Sequence, residues 1–149
     1  MPLPLFLIPI VAGLAAQALK PLINKNWRSQ PEGKSRWLLR YGGMPSAHTA
    51  FAFSLATVVG VVDGLTSTGF AIACAGVVFV LDDALRMRIF LSRHGLALRR
   101  LIRTLPPEQR SHYPQLETHL GHSLAEVTAG ALLGIGLTLL VLLPLNALF

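Results

Sequence analysis

Two histidines in apolar surroundings are the residues of this sequence best suited to chemistry. His48 lies in YGGMPSAHTAF, and His122 lies in LGHSLAEVTAG. Glu126 follows His122 by four residues, so on a helix the two side chains share a face and the carboxylate can fix the imidazole tautomer. An imidazole held in this way is a credible nucleophile toward phosphorus. The simpler alternative is a glutamate favoured by the helix N-terminus, with His122 as a bystander.

The GGMPSAH stretch is typical of a loop that leads into a helix. Gly42 and Gly43 permit a close backbone approach, Pro45 suits the first helical position, and Ser46 is a good cap. Helix N-termini bind anions, phosphate above all, which makes Ser46 a candidate phosphate contact and His48 a candidate proton donor. An ordinary glycine–proline turn before an apolar segment, with a histidine at the headgroup level, explains the stretch equally well.

Charged residues near position 85 are candidates to complete such a site. Arg86 and Arg88 carry planar guanidinium groups suited to phosphate, and Asp82 and Asp83 can orient a guanidinium. The alternative is a charged helix end whose side chains reach the membrane interface. A second alternative is that the two aspartates bind magnesium in a metal-dependent phosphotransferase.

The elements that must position these residues are apolar. The chain has 149 residues, of which 52% are hydrophobic and 13% charged, and its mean hydropathy is +0.56. These values favour a membrane protein. Segments near the roughly 20 residues needed to cross a bilayer run over about 3–19, 45–62, 68–85 and 123–149. We therefore predict one all-α domain over residues 1–149, an integral membrane bundle of about four transmembrane helices.

The basic residues predict the orientation of these spans. Six of the thirteen lie between Lys20 and Arg40, and seven lie between Arg86 and Arg110. With four spans both groups fall on one side, which the positive-inside tendency makes cytoplasmic, in a bacterial plasma (inner) membrane. The first span has no Lys or Arg before it, so we expect a retained span, not a secretory signal. Most of these charges serve orientation and attraction to membrane lipids, and no nucleic-acid partner is expected.

Four smaller features complete the pattern. LRMRIFLSRHGLALRRLIRTL spaces arginines and apolar residues as in an interfacial amphipathic helix, and prolines indicate a loop over Thr104–Pro114. Glycines at GxxxG spacing in the fourth span predict close helix packing; they are Gly130, Gly134 and Gly136. Cys74 is the one cysteine and is expected to pack among apolar residues.

The polar groups share one membrane face in this topology. Lys20 ends the first span, GGMPSAH opens the second, DDALRMR closes the third and LGHSLAE opens the fourth. An ionisable residue within a membrane segment costs roughly 2.5 to 3.5 kcal/mol on insertion scales, so such residues usually face the bundle interior and have a function. Their clustering at one face predicts a shared site.

GGMPSAHTA, a following span, an Asp/Arg cluster and LGHSLAEVTAG together resemble the divergent branch of the type 2 phosphatidic acid phosphatase superfamily, which is related to acid phosphatases and vanadium haloperoxidases. The likeness covers about Gln17 to Gly136. It implies a metal-independent phosphatase without a cofactor, working through a phosphohistidine. His122 matches the nucleophile, with Glu126 as its orienting acid. His48 matches the histidine that protonates the leaving oxygen, and Lys20 matches a phosphate-binding lysine.

The sequence departs from the superfamily pattern in its cations. The arginine expected after the first-motif lysine has only Arg28 as a loose counterpart, and the arginine expected before the nucleophile is Leu116 here. In the divergent branch an aspartate–arginine element after the third span is expected to supply that charge, for which Arg86, Arg88 and Arg93 are the candidates. Ordinary members have about six spans, so an interfacial helix or a homodimer is expected to complete the core.

The expected function is hydrolysis of a lipid phosphate. The leading substrates are polyprenyl phosphates or diphosphates and phosphatidate-type lipids, with the tail between spans and the phosphate at the polar face. Two alternatives stay open: a non-catalytic scaffold or carrier on the same fold, and the magnesium-dependent phosphotransferase that would use Asp82 and Asp83.

Overall fold

The computed structural model describes residues 4–24, 42–114, 116 and 121–146, and these are helical with short connections. The prediction of an all-α fold is confirmed. The helices are α1 (Leu7–Ile23), α2 (Ala47–Val62), α3 (Thr68–Asp82), α4 (Arg88–Thr104), α5 (Pro107–Arg110) and α6 (Leu124–Asn146), and a π-helical segment over Asp83–Met87 joins α3 to α4.

Local sequence explains where α2 and α3 begin. Gly42 and Gly43 have φ angles of 79° and 76°, a region that glycine adopts without steric cost. The Ser46 hydroxyl then caps α2 by accepting a hydrogen bond from the Thr49 amide at 3.4 Å. Ser67 caps α3 in the same way, accepting from the Phe70 amide at 3.1 Å. Serine at these positions satisfies backbone donors that the first turn leaves free.

Helix α2 lies at the centre and packs against α1, α3 and α6. Its contact with α6 is close because a Cβ atom on Gly130 or Gly134 would overlap with the carbonyl oxygens of Ser46 and Ala50 respectively. Ser54 and Thr138 add a buried hydroxyl–hydroxyl hydrogen bond of 2.6 Å between the two helices. The predicted GxxxG packing is confirmed for these two glycines.

Much of the apolar surface faces outward. Ile72 and Phe79 on α3 are 68% and 78% exposed, and Leu140 on α6 is 72% exposed. Exposure on this scale is typical of a surface covered by lipid or another protein. The continuous helix Thr68–Thr104 and the segment Leu124–Pro144 are long and apolar enough to cross a membrane, whereas α1 and α2 are shorter apolar helices.

Several sequence expectations need correction. The segment after the third span is not a separate helix, because α3, the π-helical segment and α4 form one helix of 37 residues. The loop expected over Thr104–Pro114 contains the short helix α5, which begins at Pro107 where the fixed φ of proline suits the first helical position. Cys74 is exposed on α3, and Gly136 faces open space.

Candidate functional site

The site lies where α1 ends, where α2 and α6 begin, and where the π-helical segment leaves α3. Two backbone hydrogen bonds join three of these parts, namely the start of α2, the start of α6 and the π-helical segment. The His122 amide donates to the Ala84 carbonyl at 3.2 Å, and the Ser46 amide donates to the Glu126 carbonyl at 2.9 Å. The loop before α6 is thereby joined to the π-helical segment, and the loop before α2 is joined to the first turn of α6.

His122 and Glu126 form the best-defined pair of the site. The His122 Nδ1 atom lies 2.8 Å from Glu126 Oε2, and His122 is only 7% exposed. The same Oε2 atom accepts from the Ser123 amide at 3.1 Å, while Ser123 Oγ accepts from the Glu126 amide at 3.3 Å. This reciprocal arrangement is a capping box, so Glu126 serves both the helix N-terminus and the imidazole.

The hydrogen bond determines which imidazole nitrogen is available for chemistry. A carboxylate oxygen only accepts, so Nδ1 carries the proton and Nε2 keeps its lone pair in the neutral ring. Burial lowers the pKa of His122, and its hydrogen bond to Glu126 acts in the opposite direction. The net lowering favours the neutral, nucleophilic form near neutral pH.

His48 belongs to the same group of charges. It is exposed in the first turn of α2 and interacts electrostatically with Arg88, His122, Lys20 and Asp83. The structure thus brings together two histidines that are 74 positions apart in the sequence.

Lys20 supplies a buried cation. Its residue is 3% exposed, and its ammonium group interacts electrostatically with Glu126 and with both histidines. A charge this deep in an apolar bundle is costly unless it has partners. The position at the end of α1 is therefore consistent with a binding role.

The three candidate arginines occupy different surroundings. Arg88 lies near both histidines, and its Nε atom donates to Asp83 Oδ2 at 2.6 Å. Arg86 is exposed and pairs with Asp82, with Nε 2.8 Å from Oδ1. Arg93 is exposed and lies over the Phe90 ring, with its Cζ atom 5.8 Å from the ring centroid. Arg88 is thus the arginine that the structure places beside the imidazoles.

The π-helical turn explains why Arg88, and not Arg86, pairs with Asp83. The Arg88 amide donates to the Asp83 carbonyl, five residues earlier, instead of the four-residue separation of an α-helix. Residues five apart then lie on one face, which brings the Arg88 guanidinium to the Asp83 carboxylate. Arg86 and Asp82 instead form an i,i+4 pair.

The Ser46 side chain was expected to contact phosphate, but the structure shows it as a buried helix cap. The residue is fully buried, and its Oγ atom accepts from both the Thr49 amide at 3.4 Å and the Thr49 hydroxyl at 2.9 Å. The hydroxyl therefore serves as a helix cap, and its contribution to anion binding would come through the helix N-terminus that it shapes.

Asn24 is a positioning residue that reasoning from the sequence did not select. Its Nδ2 atom donates to the Lys20 and Met44 carbonyls, both at 2.8 Å, and its Oδ1 atom accepts from the Met44 amide at 3.1 Å. These bonds tie the end of α1 to the loop before α2. Asparagine is common just after the end of a helix. Its long-range partner here, Met44, is visible only in the fold.

Two further expectations from the sequence concern magnesium binding by Asp82 and Asp83 and the role of Arg28 as a counterpart of the first-motif arginine. Asp82 and Asp83 are engaged by Arg86 and Arg88 respectively, and the described part of the chain contains no group of three His, Cys, Asp or Glu side chains placed to hold a metal ion. Both carboxylates that the magnesium alternative would use are therefore paired with a guanidinium group. Arg28 lies outside the described residues.

Comparison with known proteins supports the same relationship. Residues 3–137 match the family described as the divergent PAP2 family. A relative from Bacillus subtilis (strain 168), the "Uncharacterized membrane protein YuiD", is 29% identical over 146 residues, covering 89% of this chain and 92% of the relative. No solved structure matches significantly. The chain is therefore a membrane protein that belongs to the divergent branch of the PAP2 family.

Proposed function

We propose that this protein is a membrane-embedded phosphatase that hydrolyses the phosphomonoester or diphosphate of an amphiphilic lipid through a phosphohistidine at His122. The observation that carries the proposal is the shared environment of His122 and His48 beside Lys20 and Arg88. One imidazole is held by a carboxylate at 2.8 Å, and the other is exposed. A nucleophile and an acid–base group are thus available beside the same two positive charges.

The first step forms a phosphorus–nitrogen bond. The Nε2 lone pair of neutral His122 attacks phosphorus, and the bond from phosphorus to the leaving oxygen breaks. Protonated His48 gives its proton to that oxygen, which leaves as an alcohol or a monophosphate. The Glu126 carboxylate stabilises the positive charge that develops on the His122 ring.

The second step consumes water. Neutral His48 takes a proton from a water molecule, whose oxygen attacks phosphorus while the bond to His122 Nε2 breaks. Inorganic phosphate is released, and both histidines are again in their starting states, with His48 protonated and His122 neutral. Phosphoryl transfer mainly requires positioning and charge stabilisation, which we assign to Lys20 and Arg88.

Membrane position favours a lipid substrate. The apolar helices place the charged group at one end of the bundle, where the phosphate of a lipid would meet it. Polyprenyl phosphates or diphosphates and phosphatidate-type lipids fit this arrangement. The basic segments favour a cytoplasmic location for the site in a bacterial plasma membrane.

Phosphate release from purified protein in detergent tests the proposal. The substrates are a polyprenyl monophosphate, a polyprenyl diphosphate and a phosphatidate, and the variants are His122→Ala, His48→Ala and the exposed His94→Ala as a matched control. We expect at least about 10³-fold loss for His122→Ala and about 10²-fold or more for His48→Ala. His94→Ala should retain wild-type activity.

Further treatments distinguish the proposal from its rivals. Activity that survives a chelator and is inhibited by vanadate supports the metal-independent mechanism, whereas loss of activity in chelator that magnesium restores supports the phosphotransferase alternative. Equal phosphate release by wild type and both site variants contradicts the proposal. No release of phosphate from any of the substrates by wild-type protein favours a non-catalytic carrier or scaffold.

A further inference from the structure

An open apolar groove runs between α2 and α3 and has a volume of about 400 Å³. This volume lies within the range of about 300 to 1,000 Å³ that is common for small-molecule sites. All the described residues that line the groove are apolar. Its lining runs from Phe51 to Val59 on α2 and from Gly69 to Val80 on α3, and it includes Gly76.

The groove begins one helical turn from the candidate site on both helices. Phe51 follows His48 by three residues on α2, and Val80 precedes Ala84 by four at the end of α3. Residues at these separations lie on one helix face. Ala84 also accepts the hydrogen bond from the His122 amide. A molecule with a phosphate beside the histidines therefore has a direct apolar path along α2 and α3.

We propose that this groove binds the hydrocarbon tail of the substrate and favours long chains over short ones. The inference rests on the proposed function and assigns a place to the tail. The groove extends from Gly69 to Val80 along α3, about 16 Å at a rise of about 1.5 Å per residue. That length is somewhat more than half of the roughly 30 Å hydrocarbon core, so a long tail fills the groove and a short one leaves most of it empty.

The distribution of charge around the groove favours the substrate tail over other possible occupants. Phe51, at one end of the groove, is three residues from His48, which interacts electrostatically with Lys20 and Arg88, while the groove itself has an apolar lining. An anionic head joined to one apolar chain matches both parts at once. Because the surrounding lipid is as apolar as the groove, the groove acts by packing and orientation, and not by removing the tail from water.

Gly76 is a suitable position for a substitution that blocks the groove. A Cβ atom at Gly76 meets no heavy atom within 4 Å, and the same holds for the exposed Gly136 on α6. Gly76→Leu therefore adds bulk to the groove lining, and its Cβ atom makes no steric clash. Gly136→Leu makes the same chemical change on another helix, outside the groove lining, and is the matched control.

The kinetic test compares two phosphomonoesters with the same head, hexadecyl phosphate and butyl phosphate, in mixed detergent micelles. For Gly76→Leu we expect KM to rise about tenfold for hexadecyl phosphate, with kcat/KM for butyl phosphate within about twofold of wild type. Gly136→Leu should match wild type with both substrates. An unchanged KM for hexadecyl phosphate overturns the inference, as does an equal loss with both substrates, which would mean that the substitution disturbed the site itself.

A binding test separates failure of the groove from failure of the proposed function. A long-chain alkyl phosphate with a photoreactive diazirine near the tail end is crosslinked in nanodiscs to His122→Ala and to His122→Ala/Gly76→Leu, neither of which needs to turn over. We expect labelled peptides from residues 51–80 in the first protein and about tenfold less labelling there in the second. Labelling elsewhere, or undiminished labelling, overturns the inference even if phosphatase activity is found. Specific labelling supports the groove even if no activity is found.

Light scattering in detergent identifies the main competing occupant. If Gly76→Leu converts a dimer to a monomer and leaves KM for hexadecyl phosphate unchanged, the groove is a contact between copies of the chain and the inference is wrong. An unchanged oligomeric state together with the expected rise in KM supports a lipid tail.

Discussion

One carboxylate oxygen links local structure to chemistry in this site. Glu126 Oε2 accepts from both the Ser123 amide and the His122 ring. The helix cap therefore holds the carboxylate in place before it meets the imidazole, which reduces the freedom lost when the pair forms. Because the capping box and the imidazole contact use the same atom, the two explanations of Glu126 suggested by its sequence position are compatible.

Glu126→Gln should change both the rate and the pH dependence. Burial lowers the pKa of His122, and the Glu126 carboxylate opposes that shift, so loss of the charge should lower the pKa further. Since the neutral ring is the proposed nucleophile, activity falls as pH drops through this pKa. The acid limb of kcat/KM should lie below the ordinary histidine value of about 6.5 and move to still lower pH in the variant, with kcat reduced about 10²- to 10⁴-fold.

Ser123→Ala is the control for the capping role of Glu126. It removes the Ser123 hydroxyl that caps α6 and leaves the backbone amide that contacts Oε2. We expect a loss of about 1 kcal/mol in the free energy of unfolding and an unchanged acid limb. Identical pH profiles for wild type and Glu126→Gln, measured as kcat/KM over pH 4 to 8 (about the range where histidine titrates), would contradict the role assigned to Glu126.

Arg88→Ala and Arg86→Ala form a matched pair of substitutions. Arg88 lies beside the histidines, whereas Arg86 pairs with Asp82 at the exposed surface. We expect kcat/KM for a lipid phosphate to fall about 10²- to 10³-fold in Arg88→Ala because a charge at the phosphate is lost. Arg86→Ala should remain within about twofold of wild type because exposed ion pairs contribute little. Equal losses would show that general positive charge, and not the placement of Arg88, determines activity.

At the scale of helices, two devices position the site. The π-helical turn brings Arg88 to Asp83, and Gly130 and Gly134 allow α6 to approach α2. Each device changes where a charged or titratable side chain lies without itself contacting the proposed phosphate. Asn24 acts similarly by joining the end of α1 to the Met44 backbone.

Gly134→Ala tests the helix contact. Its Cβ would overlap with the Ala50 carbonyl, whereas a Cβ at Gly136 meets open space. We expect Gly134→Ala to lower the free energy of unfolding by about 1 to 3 kcal/mol, as overpacking does. Gly136→Ala should be neutral or stabilising by up to about 1 kcal/mol. Thermal unfolding in detergent, followed by circular dichroism, measures the difference, and equal melting temperatures would contradict the close α2–α6 contact.

At the scale of the whole molecule, the main prediction concerns membrane topology. The α2–α3 turn and the segment after α4 should lie on opposite sides of the membrane if α3 crosses it. In a Cys74→Ser background, Thr66→Cys should react with an impermeant maleimide in intact bacterial cells. Ser111→Cys should react only after permeabilisation, because the basic segments favour the cytoplasm.

Two outcomes of this labelling would change the proposed arrangement. The reverse pattern places the site on the outer face and would require substrate from the outer leaflet. Equal accessibility of both positions contradicts a single crossing between them. The exposed apolar surface of α3, with Phe79 at 78% exposed, gives the physical reason to expect the crossing.

Composition and short-range spacing were enough to predict a helical membrane fold and the pairing of His122 with Glu126. Hydropathy is a sum over adjacent residues, and an i,i+4 contact depends only on helix geometry, so neither requires knowledge of the tertiary structure. The same holds for the Ser46 cap and for the close packing of Gly130 and Gly134, whereas Gly136 faces open space. The relative placement of Arg86, Arg88 and Arg93 was beyond this reasoning because it depends on one π-helical turn that shifts the register of a continuous helix.

The interaction of His48 with His122 and the hydrogen bonds from Asn24 to the Met44 backbone depend on contacts between distant segments. Such contacts arise when α2 packs against both α1 and α6, and a local pattern such as glycine spacing does not say which helix will be the partner. The apolar groove is likewise a property of two helices together, since each helix alone presents only an apolar face. Sequence therefore identified the candidate side chains, while packing decided which of them interact and which surface lies next to them.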